Sequence, residues 1–95
     1  MKSKTAVYLS GPITNNKNYR RQFSTAEEMI AGPDVAVLNP AALPQGLTQA
    51  QYMRISLAML DSADVVLMLP GWERSAGARV EHDYALKVGK QVQYE

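Results

Sequence analysis

The sequence has no cysteine and a single histidine in 95 residues. Without thiols there is no disulfide framework and no thiolate metal site, and one imidazole cannot make a histidine cluster; the expected cofactors and metals are none. A lack of cysteine fits a cytoplasmic location. A dominant charge is missing too, with 10 Lys and Arg against 9 Asp and Glu and a formal net charge of +1. The basic residues, from Lys2, Lys4, Arg20 and Arg21 to Arg54, Arg74, Arg79, Lys87 and Lys90, are scattered, which argues against a long nucleic acid as partner. No apolar run approaches the roughly 20 residues of a membrane-spanning helix, so no membrane association is expected.

What is present fits one small folded unit. A chain of 95 residues that is 46% hydrophobic suits a single domain over residues 1–95 with a modest core. Folds of this size often cover a sheet edge or complete a cleft with a second copy, so a homo-oligomer, a dimer or higher, is expected.

Thr5 to Ser10 is a short β-rich run closed by Gly11-Pro12, and a polar loop to Asn18 follows. Tyr19 to Ala31 carries Phe23, Ala26, Met29 and Ile30 at helical spacing, with Asn18 or a neighbour as cap and Gly32-Pro33 as stop. Val35 to Leu38 reads as a second strand, followed by a Pro- and Gly-rich loop, Ala41 to Leu47. Thr48 and Gln51 form a capping-box pattern opening a helix that ends at Asp61-Ser62, with Tyr52, Ile55, Met59 and Leu60 as its apolar stripe. The unbroken Val65 to Leu69 suits a strand covered on both faces. A helix from about Ser75 to Val88, Gly89 as its C′ residue and a last strand, Gln91 to Tyr94, complete the chain. This alternation predicts an α/β fold, a small Rossmann- or flavodoxin-like three-layer sandwich on a mostly parallel four-stranded sheet. Ligands in such sheets sit beyond the carboxyl ends of the strands, where the loops Ser10 to Asn18, Asn39 to Leu47 and Pro70 to Ser75 meet.

The turn from Pro70 to Glu81 is where chemistry gathers. Ser75 reads as an N-cap, and a helix start offers free N–H groups and partial positive charge to an anion. Gly77 leaves the backbone approachable, and Glu81 lies one turn deeper on the same face. Glu81 otherwise reads as a solvated or salt-bridged helix carboxylate. Tyr8 is either a core residue with its hydroxyl at the rim or a hydrogen-bond donor to a carboxylate on a neighbouring helix. Trp72 is either a core anchor or a lid over a stacked base. Arg79 points away from Glu81, and the adjacent His82 and Asp83 are not expected to face one site together as a dyad.

Several segments together resemble the nucleoside 2-deoxyribosyltransferase superfamily: Tyr8-Leu9-Ser10-Gly11-Pro12, Ala63-Asp64-Val65-Val66, and Ser75-Ala76-Gly77-Ala78-Arg79-Val80-Glu81 with Ala85 and Gly89-Lys90. Leu69 to Ser75, and Asn39-Pro40-Ala41 to Tyr52-Met53, look like a compact branch of it common in phages and prophages, which implies the cytoplasm of a bacterial host cell. The resemblance implies N-glycosidic chemistry on a small nucleoside or nucleotide, without a cofactor. Glu81 would attack the anomeric carbon and Tyr8 would hold its carboxylate, through an oxocarbenium-like transition state. Ser75 stands where transferases on free nucleosides carry an aspartate, and resembles the branch that hydrolyses deoxynucleoside 5′-monophosphates. Ser75 with the Ala76 and Gly77 amides would then cradle the phosphate, and Ser10, Gly11 and Trp72 would line the sugar and base pocket. The superfamily's second aspartate aligns with Ser56, and serine is no general acid at neutral pH. That replacement motivates a different class of reading, a binding protein that sequesters a nucleotide without turnover. A third, an interaction module whose helices merely dimerise, requires Glu81 to face solvent or to be paired outside any cleft.

Overall fold

The computed structural model describes residues 3–95, in which four strands and three helices alternate. The strands are β1 (Thr5–Ser10), β2 (Val35–Leu38), β3 (Val65–Met68) and β4 (Gln91–Tyr94), and the helices are α1 (Tyr19–Ile30), α2 (Gln49–Asp61) and α3 (Ala76–Lys87). The sheet runs β2-β1-β3-β4, and among the described residues all three strand pairings are parallel. β1 is central, pairing Thr5 with Val35 through Tyr8 with Leu38 on one side and Val7 with Val65 through Ser10 with Met68 on the other.

Alternation along β1 decides what each face carries. Val7 and Leu9 point to one face and pack with Val65, Leu67 and the α1 residues Phe23 and Ala26. Tyr8 points to the other, with Val66, Met68 and the helix residues Leu60, Ala78 and Ala85. The result is three layers, α1 over one face and α2 with α3 over the other. Ser10, two residues after Tyr8, shares its face, so β1 delivers two hydroxyl side chains toward α3.

Caps place the two helices that matter most for the site. Thr48 and Gln51 form the full reciprocal capping box on α2, and the Ser75 hydroxyl accepts from Ala78 N at α3. Asn18 makes no side-chain cap bond to α1, because its backbone (φ −105°, ψ 19°) lies outside the extended conformation that aims a cap side chain back at the helix. Two apolar stripes are narrower than their spacing suggests: Met29 on α1 is 72% exposed and Ile55 on α2 is 37% exposed. The buried face of α2 runs instead through Ser56 and Leu60. Short 3-10 turns at Pro40–Ala42 and Trp72–Arg74 fill what the sequence presents as plain loops.

The sheet order opens a crevice. From β1 the chain crosses to β2 on one side, then returns through α2 to β3 on the other, so the loops leaving β1 and β3 diverge at the carboxyl end of the sheet. Gly11 lets the chain pass close against Leu69 there. A Cβ at that position would lie 2.9 Å from Leu69 Cβ and 3.4 Å from Phe23 Cζ, closer than a packed core allows.

Candidate active site

At this crevice lies a cavity of about 570 Å³. Gly11, Ile13, Thr14 and Asn15 wall it from the loop after β1, Gln49, Tyr52, Met53 and Ser56 from α2, and Arg74, Ser75, Ala76, Gly77 and Ala78 from the start of α3, with Tyr8 and Glu81 deeper.

Glu81 sits in the second turn of α3 and is only 8% exposed. Two hydroxyl groups from β1 hold it. Tyr8 donates from its phenol to Glu81 Oε2 at 2.8 Å, and Ser10 Oγ donates to Oε1 at 2.6 Å. Burial raises the Glu81 pKa above its ordinary value, while the Ser10 and Tyr8 hydrogen bonds pull it back toward ionisation. Burial likewise pushes the Tyr8 phenol well above its usual value, the Glu81 charge pushes it further, and a hydrogen bond with Ser56 opposes both. The phenol is therefore a donor at neutral pH. Among the described residues no buried side-chain nitrogen or oxygen lacks a partner, so the pair sits in a completed polar network inside an apolar layer.

The expected residues divide on inspection. Tyr8, Gly11, Ser75, Ala76, Gly77 and Glu81 share the cavity. Ser10 is not on its wall; at 1% exposure it lies beneath, orienting the carboxylate. Trp72 is not on the wall either. Gly71 takes a left-handed φ of 92°, which starts the 3-10 turn so that Trp72 folds back onto His82, ring centroids 4.2 Å apart, with Tyr94 tilted at 5.9 Å. It therefore packs against α3 and β4. His82 and Asp83 do meet, with His82 Nδ1 3.2 Å from Asp83 Oδ1, since the ring folds along the helix surface; they sit off the cavity, with His82 Nε2 2.7 Å from the Tyr94 hydroxyl. Arg79 is turned to solvent and donates to Glu73 O at 2.9 Å. Asp61 accepts from the Tyr84 hydroxyl, and Asp64 Oδ2 accepts from Ala6 N.

Of the α2 wall the sequence points to Ser56 alone, through the resemblance, and it gives no sign of Arg74, Gln49, Tyr52 or Met53. Gln49, Tyr52, Met53, Ser56 and Leu60 are spaced as one helix face, a signal hidden because only Leu60 is aliphatic. Tyr52 is also fixed by its hydroxyl, which donates to Pro44 O at 2.6 Å.

A family model described as a domain of unknown function, DUF4406, matches residues 5–94. The chain belongs to the DUF4406 family. A comparison with curated proteins gave no match. Among solved structures, the DUF4406 chain is similar to a 2-desoxiribosyltransferase from Leishmania mexicana, with a TM-score of 0.76 at 19% identity over 95% of this chain. The match covers 63% of that protein, so the DUF4406 chain spans less than two thirds of its length. The fold is thus the Rossmann-like α/β fold of a deoxyribosyltransferase. No helix among the described residues is long and apolar enough to cross a membrane.

Proposed function

We propose that the protein cleaves or transfers the N-glycosidic bond of a nucleoside or nucleotide, with Glu81 as nucleophile. The observation that carries this reading is the buried Glu81 carboxylate, gripped by Tyr8 and Ser10 at the base of a nucleoside-sized cavity. One Glu81 oxygen bonds to the anomeric carbon as the bond from that carbon to the base nitrogen breaks. The base departs with the bonding pair and takes its proton from water. Water or a second base then attacks the same carbon and the carboxylate leaves, giving hydrolysis or transfer. Tyr8 and Ser10 keep the carboxylate aimed and favour its ionised form, since each donates a hydrogen bond to one of its oxygens. Ser75, Ala76 and Gly77 at the start of α3 suit a 5′-phosphate, which a helix N-terminus attracts.

A second reading, sequestration of a nucleotide without turnover, is favoured by Ser56. It lines the cavity beside Tyr8, where a carboxylic acid would assist departure of the base. A panel of deoxynucleosides and their 5′-monophosphates, analysed by chromatography for free base, tests the two. Base release supports the enzyme, and tight calorimetric binding of an unchanged nucleotide supports sequestration.

Tyr8→Phe separates orientation from mere packing. Its hydrogen bond lowers the Glu81 pKa, so removal should lift that pKa further. The nucleophile must be ionised, so the acid limb of the pH–rate profile should move to higher pH, with the rate at neutral pH down by about tenfold or more. An unmoved acid limb would show that the phenol does not govern the carboxylate.

A further inference from the structure

A second cavity of about 440 Å³ adjoins the first, and the two share Thr14, Asn15 and Arg74. Hydrogen bonds across the loops build its wall. Asn16 Nδ2 donates to Pro12 O and to Gln22 Oε1, both at 2.9 Å, and Gln22 Nε2 donates to Pro70 O at 3.0 Å. These bonds tie the loop after β1 to the loop after β3 and use both amide hydrogens of Asn16. Gly71 closes the base of the cavity: a Cβ there would lie 3.2 Å from Pro12 Cγ and 3.4 Å from a terminal nitrogen of Arg74. No carboxylate lines the space. The Arg74 guanidinium makes no hydrogen bond or ion pair among the described residues, and neither do the side chains of Thr14 and Asn15.

The second cavity is thus held open by bonds that consume its scaffold amides and leave its cation free. A guanidinium with five unpaired donors beside a hydroxyl and an amide matches a phosphoryl group, whose oxygens only accept. Arg74 immediately precedes Ser75, so a group one step further along from a phosphate on the α3 amides meets Arg74. We propose that the two cavities are one bipartite site for a nucleotide carrying a second phosphoryl group, a nucleoside 5′-diphosphate or a nucleotide extended through that linkage. This rests on the nucleotide reading above, and it names Arg74 as the residue that sets the preference.

Calorimetry with the 5′-monophosphate and 5′-diphosphate of the same nucleoside tests it on the wild-type protein, Arg74→Ala and Arg74→Lys. Wild type should bind the diphosphate about tenfold more tightly. Arg74→Ala should erase that preference, and Arg74→Lys should restore part of it, because lysine keeps the charge but not the planar fork. The wild-type preference should also shrink as salt is raised, a readout that needs no variant. Equal affinity of wild type for the two ligands, or an equal loss for both in Arg74→Ala, overturns the bipartite site and leaves the nucleotide reading standing. If neither ligand binds, both fall.

Discussion

Replacing Glu81 with glutamine should reduce base release by roughly 10³-fold or more, because an amide does not form the glycosyl ester that the carboxylate forms. The same change should not harm the fold. Glutamine has the shape of Glu81, and the Tyr8 and Ser10 hydroxyls can rotate so that one of them accepts from the new amide. The pH dependence of stability gives an independent check. Burial raises the Glu81 pKa in the folded state above its unfolded value, so the folded protein binds the proton more tightly. Stability then falls as pH rises from the ordinary carboxylate value to the raised one, and stays lower above it. Glu81→Gln has no such proton to lose. It should therefore be at least as stable as wild type at neutral pH, with the gap closing in acid. Thermal melts across pH measure this, and a marked loss of stability in Glu81→Gln at pH 7 would mean that the ionised carboxylate supports the fold. Wild-type and Glu81→Gln proteins releasing base at the same slow rate would end the assignment of Glu81 as nucleophile.

The largest effect on stability is expected at Phe23. Its side chain is fully buried where α1 meets β1 and β3, and its ring also reaches the cavity wall. Phe23→Ala should cost about 3–5 kcal/mol, since the lost contacts add to the void left behind. Small proteins carry a net stability of roughly 5–15 kcal/mol, so this variant is expected to be close to unfolding. Urea titration measures the loss, and Met29→Ala on the same helix, 72% exposed, should stay within about 0.5 kcal/mol of wild type. A loss at Phe23 no larger than at Met29 would contradict the packing of α1 on the sheet.

Much of this molecule is legible in its residues, for reasons that differ by element. β3 and the starts of α2 and α3 announce themselves because a continuous apolar run and the caps Thr48 and Ser75 are local signals, and the structure uses them. The approach of Tyr8 to Glu81 links residues 73 positions apart, and no local pattern carries it. It was expected from the family resemblance and from the rule that strand ends meet helix starts in parallel sheets. The place of Ser10 follows from strand alternation, which puts it on the face of Tyr8, and its hydroxyl donates to the carboxylate. The direction of Trp72 was invisible, because a left-handed Gly71 sets it and its partners come from α3 and β4. Arg74 was one more scattered cation until the fold placed it between two cavities.

The fold-back of Trp72 gives the protein an optical property. Trp72 is the one tryptophan of the sequence, and its indole lies flat on the ring of His82, the neighbour of Glu81 along α3. Indole emission responds to a shifted aromatic partner, so Trp72 reports on the ring of the residue that follows Glu81 along α3. The turn that bears Trp72 also bears Arg74. A ligand drawing on Arg74, as proposed above, would act on the turn that carries the fluorophore, and a change in indole emission on its addition would report it without a dye.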